Sequence, residues 1–181
     1  MIRIDTEAFS YASALKTIIW GNGLKIIGTE AFEYNVALNM TSLPEGLEII
    51  GIRAFNSCGK GIKLTSLPNS VKKLDTQCFM SNTNVVIPRL GKVNSIGEKD
   101  ENHPSQLAVL GHMCFGYGCD DRSITTIVIG PNITFEASNG SYGVFKESYR
   151  GVTDLIVYSN DSAITGADMF GREGVTVTLR A

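Results

Sequence analysis

The apolar residues of this chain fall into short blocks that return at a nearly fixed interval. The block Leu24-Lys25-Ile26-Ile27-Gly28-Thr29-Glu30-Ala31-Phe32 recurs from Leu47 to Phe55, from Val71 to Phe79 and from Leu107 to Phe115, and the chain's first residues, through Phe9, fit the same template. Phe9, Phe32, Phe55, Phe79, Phe115, Phe145 and Phe170 mark about seven units, the first three intervals being 23, 23 and 24 residues. A fixed period of this size predicts a solenoid, in which each unit hides its apolar face only by stacking on its neighbours.

Within a unit, the Leu-x-x-Ile-Gly portion predicts a short extended segment. It ends at a position that tolerates positive φ, occupied by Gly28, Gly51 and Gly111, with Asp5 and Asp75 as substitutes. The next residues, such as Thr29 to Glu33, predict one helical turn. A second extended segment follows and closes on proline or glycine in most units: Ile18 to Gly21, Thr41 to Pro44, Thr65 to Pro68, Val85 to Pro88, Ile127 to Gly130 and Ile156 to Ser159. A proline just past a strand ends pairing without removing a central ladder bond. Two-residue alternation then turns Trp20, Leu43, Leu67, Ile87, Ile129 and Tyr158 inward. It turns Ile19, Ser42, Ser66, Val86, Val128 and Val157 outward, so Ile19, Val86, Val128 and Val157 are candidate contacts on an apolar sheet face. A phase shift of one residue in some units, or β-branched residues serving strand propensity, accounts for the same pattern.

Two stretches break the period. Residues 89–106, between the regular repeats of 1–88 and 107–130, form an insertion whose charged half predicts a solvated excursion. It carries Glu98, Asp100, Glu101 and His103 as candidate contacts. A second insertion, Ala137 to Gly143, presents Tyr142, and from 133 to 181 the repeats are degenerate. Insertions in solenoids map to loops on one side and are frequent binding elements. The whole of 1–181 reads as a single repeat domain.

The pattern of Ile50-Gly51-Ile52-Arg53-Ala54-Phe55-Asn56-Ser57-Cys58, followed by Leu64-Thr65-Ser66-Leu67-Pro68-Asn69-Ser70-Val71, resembles the BspA-type leucine-rich repeats. The resemblance implies a leucine-rich-repeat solenoid: a right-handed parallel-β superhelix with short helical turns, about seven coils of 23–25 residues and two insertions. It also implies a surface or adhesion protein, extracellular or at the cell surface, whose partner is a protein or glycan.

Composition narrows the remaining classes. A net charge of −2 with interspersed signs supplies no basic stripe for nucleic acid. No apolar run is long enough for membrane insertion, and no basic stretch followed by an apolar run marks a signal peptide at the start. Cys78 and Cys114 occupy the small-residue slot before the repeat phenylalanine and read as core thiols, Cys58 faces inward at a turn, and Cys119 makes no Cys-x-x-Cys spacing. The two histidines, His103 and His112, lack metal-ligand spacing, and no nucleophile elbow or phosphate loop is present, so neither a cofactor, a metal nor catalysis is expected. The function expected is therefore binding without catalysis. The alternative is a structural subunit of a larger assembly, such as an appendage or virion, with an end-to-end homo-oligomer as one form, because the first coil has no visible polar cap.

Overall fold

The computed structural model describes residues 2–181. The repeat block sets the first sheet. Strands β1 (Ile2–Ile4), β2 (Leu24–Ile27), β3 (Ile49–Ile50), β4 (Lys73–Leu74), β6 (Val109–Leu110) and β8 (Thr134–Phe135) stack in parallel, one per coil, in that order. Their register superposes Ile27 on Ile50, Leu74, Leu110 and Phe135, the inward column. Four further parallel strands form the second sheet in the order β10-β9-β7-β5: β5 (Arg89–Leu90), β7 (Thr126–Ile129), β9 (Asp154–Tyr158) and β10 (Thr176–Arg180). Between the sheets, the repeat phenylalanines stack ring on ring from Phe9 to Phe170, with centroids 5.2 to 6.0 Å apart. Such offset aromatic pairs contribute about 0.5–1.5 kcal/mol each beyond burial.

The segment after each first-sheet strand is a pair of tight turns and not a helical turn. Glu30 and Tyr34 both have left-handed backbones (φ 55° and 57°), and Arg53 with Ser57, Gln77 with Ser81 and Met113 with Tyr117 repeat the pair. The positive φ thus falls two residues after the expected glycine. Gly28, Gly51 and Gly111 serve a different purpose, close stacking. A Cβ on Gly51 would lie 2.9 Å from the Gly28 carbonyl carbon and 3.0 Å from the Ile27 oxygen. Among the described residues the one helix, α1 (Gly166–Phe170), lies in the last coil, where Thr165 caps it and Gly171 ends it in the left-handed region.

Early coils do not form the second strand where expected. The ladder passes through Met40 and Ile62, joined by Lys63 N–H to the Met40 carbonyl and continued by Val86 N–H to the Leu64 carbonyl. Thr41 to Pro44 and Thr65 to Pro68 lie just beyond it, where the prolines offer no N–H.

The outward row is corrected at two places. Val157 pairs with Ile129, which in turn pairs with Leu90, in the inward column and is buried, while Tyr158 takes the outward direction expected of its neighbour. The phase is therefore shifted by one residue in that coil. Val128 does face outward, beside Arg89 and Ile156, yet it is buried because the insertion folds over it. A Cβ on Gly97 would meet Val128 Cγ2 at 2.8 Å.

The insertion itself starts later than the period break suggests, since Arg89–Leu90 is β5 and pairs with Val128 and Ile129. Its charged half is docked and not free. Lys99 N–H donates to Tyr158 Oη at 2.7 Å, and Arg180 closes over the same ring.

Candidate functional site

The insertion leaves the solenoid at Gly91, whose φ of 82° turns the chain away from β5. Asn94 then holds a hairpin: its Oδ1 accepts from the N–H groups of Ile96, Gly97 and Glu98 at 2.9, 3.0 and 3.1 Å. Val93 bridges Lys99 in antiparallel fashion, and Asp100 N–H donates to the Lys92 carbonyl. The returning chain is tied down where Gln106 N–H reaches the Asn69 carbonyl at 2.8 Å.

This wall and the closing segments of the third and fourth coils enclose a groove of about 540 Å³. Leu67, Val71, Val86, Leu90 and Leu107 supply its apolar surface, and Ser66, Asn69, Arg89, Ser95 and His103 its polar one. No carboxylate lines it, although the chain carries net negative charge. Arg89 brings donors alone, while the serine hydroxyls and asparagine amides both donate and accept. His103 Nδ1 accepts from Ser105 N–H at 3.3 Å, which puts the proton of the neutral ring on Nε2. An apolar floor with a few directed polar groups is the usual composition of a ligand site.

Of the residues anticipated from the sequence, Val86 and His103 meet in this groove. Ile19 is almost wholly exposed on the first coil and does not join them, Val128 lies beneath the insertion, and Val157 is core. Glu98, Asp100 and Glu101 do not line the groove. Glu101 instead sits 3.2 Å from Lys99 Nζ and 3.8 Å from Lys92 Nζ, in surface pairs that contribute roughly 0–1 kcal/mol. Tyr142 is engaged within the fold, its Oη donating to Asp161 at 2.8 Å and its N–H to the Asp168 carboxylate. That Asp161 bond, with burial second, raises the phenol above its ordinary range. The loop around Tyr142 therefore fastens the sixth coil to the seventh.

Arg89 and Asn69 were not singled out from the sequence. The period break groups Arg89 with the insertion, and the available signal is the Asn94-Ser95-Ile96-Gly97 turn, which places the departure after Leu90.

The cysteines are chemically quiet. All four are free and buried, and desolvation pushes the Cys58 thiol up to about 12 and raises Cys78 and Cys119 in the same direction. Among the described residues no group of three or more His, Cys, Asp or Glu is placed to hold a metal ion. Among the same residues no helix is long and apolar enough to cross a membrane.

Comparison with protein families matches residues 2–135 to the BspA type leucine rich repeat region, in six copies. Neither the curated proteins nor the solved structures give a match.

Proposed function

This chain belongs to the BspA-type leucine-rich-repeat family, and from that premise we propose that it is a non-catalytic binding module of a surface or adhesion protein, taking a protein or glycan ligand in the groove beside the insertion. The observation that carries the reading is the groove itself: a rigid two-sheet scaffold fixes one wall, and a hydrogen-bonded insertion raises the other. Arg89 stands on β5, a paired strand, so its position is set by the ladder and not by a mobile loop. Sites on regular elements hold their geometry better than sites on loops. The apolar surface of Leu67 and Val86 offers a platform for a sugar's C–H face or an aliphatic side chain, and the donors around it fix orientation.

Immobilised glycan and protein panels test the reading. The chain should capture a defined ligand, and Arg89→Ala or Ser66→Trp should weaken capture at least about tenfold, the loss of about 1.4 kcal/mol, with circular dichroism unchanged. Equal capture by both variants would remove the groove as the site.

A further inference from the structure

Arg89 stands between two hollows. On one side lies the groove of Leu67, Val86 and His103, and on the other a smaller hollow of about 310 Å³ opens between the hairpin tip and the segment leading into β7, walled by Ile96, Ile124, Thr125 and Thr126. Pro88, Arg89, Ser95 and Ile124 line both, so the two meet at the Arg89 side chain. Among the described residues Arg89 is the one permanent charge on either lining, and no carboxylate stands on them. The cations of the insertion are paired, Lys92 and Lys99 both with Glu101. Among the same residues Arg89 makes no ion pair. A planar guanidinium left in this way suits a carboxylate or sulfate, which it holds through two parallel N–H bonds. The net charge of −2 gives the chain no general attraction for polyanions, so the attraction is local to this position.

The surroundings favour a sugar over a peptide. Ser66, Asn69, Ser95, Thr125 and Thr126 line the two hollows with groups that both donate and accept, as sugar hydroxyls do. Leu67, Val86 and Ile96 offer apolar surface to the C–H faces of the rings. An extended peptide binds by adding a strand to free backbone groups, and the fourth coil has few donors to give it. Val86 N–H is bonded to the Leu64 carbonyl, Ile87 N–H to Tyr149 Oη, and Pro88 has none.

We propose that the occupant is an acidic saccharide, whose carboxylate or sulfate sits on the Arg89 guanidinium and whose chain runs from the groove into the second hollow. This rests on the groove being the binding site and adds the charge of the ligand and its path.

The test titrates the full chain calorimetrically with oligogalacturonate, the carboxyl-reduced neutral form of that oligosaccharide, a heparin oligosaccharide and oligoglutamate. At least one acidic saccharide should bind saturably and at least about tenfold more tightly than the neutral form, and Arg89→Gln should remove about that factor. Binding of oligogalacturonate assigns the anion as carboxylate, and binding of heparin alone assigns it as sulfate. Thr125→Trp, which fills the second hollow, should weaken the same saccharide, while Arg122→Gln, which removes an exposed cation outside both hollows, should leave it unchanged. Circular dichroism of each variant should match that of the unaltered chain. Absence of saturable acidic-saccharide binding, indifference to Arg89→Gln or to Thr125→Trp, or tighter binding of oligoglutamate would overturn the proposal. Binding of the neutral form alone, lost in Ser66→Trp, would overturn it and leave the groove as the site. Binding that ignores Ser66→Trp, Arg89→Gln and Thr125→Trp alike would remove both.

Discussion

Asn82 Nδ2 donates to the carbonyl of Phe55, 27 residues earlier and one coil away, at 2.7 Å, while also reaching the Phe79 carbonyl at 3.0 Å. The third residue after a repeat phenylalanine does this job in other coils. Asn35 donates to the Phe9 carbonyl at 2.8 Å, the Cys58 thiol to that of Phe32 at 3.0 Å, and Ser148 Oγ to that of Phe115 at 2.6 Å. The phenylalanine carbonyl points to the next coil, where the turn supplies no backbone N–H for it, and this side chain fills the gap.

Asn82→Ala should therefore leave a buried carbonyl short of its partner, at a cost of about 1–3 kcal/mol. For a chain of this size that corresponds to roughly 3–10 °C in thermal midpoint. Cys58→Ala should cost less, because a thiol is the weaker donor. Calorimetry of both variants checks the order, and a larger loss for Cys58→Ala would contradict it.

Gly51→Ala tests why glycine follows β2, β3 and β6. If the reason were a left-handed backbone, alanine would cost little here, since Gly51 is not in that region. The Cβ contacts of about 3 Å to the Gly28 and Ile27 backbone instead predict forced separation of two coils, a cost of about 1–3 kcal/mol. A denaturant midpoint equal to that of the unaltered chain would refute the stacking explanation.

Alkaline pH should destabilise the fold through its buried thiols. Burial holds Cys58 protonated up to about 12, against an ordinary 9.0. Because the folded state binds this proton more tightly than the unfolded chain, its contribution is complete below the ordinary value and is lost as pH rises toward the folded one. Each such thiol contributes a slope of about 1.4 kcal/mol per pH unit in that window. The urea midpoint should stay level near about pH 7 and fall above about pH 9, with a shallower fall in Cys58→Ala. An identical slope in that variant would exclude Cys58 as a contributor.

Tyr158→Phe removes the hydroxyl that accepts from Lys99 N–H and Arg180 Nη1, while the ring beneath Arg180 stays. The insertion should loosen at its tip while the solenoid keeps its stability, so limited proteolysis should cut within 93–101 several times faster, with the thermal midpoint within about 2 °C of the original. Unchanged cleavage would show that the Asn94 hairpin stands without this anchor.

How much of this was legible in the sequence follows from what each residue answers to. The inward columns were legible because burial enforces them in every coil: Ile27, Ile50, Leu74 and Leu110 keep their place. The turn was misread as helical because Glu30, Arg53 and Gln77 adopt left-handed backbones without the glycine that usually marks one. Val157 and Tyr158 exchange places because counting back from the closing Ser159 gives the wrong phase; Asp154, exposed at the start of β9, sets it, turning Ile156 and Tyr158 outward and Leu155 and Val157 inward. Val86 and His103 were named without any sign that they share a groove, since their meeting depends on where an insertion folds back and not on the repeat.

The central claim is that ligand engages the groove between the insertion and the closing segments of the third and fourth coils. Its most direct measurement is amide hydrogen exchange of the full chain, with and without the strongest panel ligand. Added protection should fall on 66–69, 86–91 and 103–107, the segments that line the groove. Protection confined to other coils, with these three segments unchanged, would contradict it.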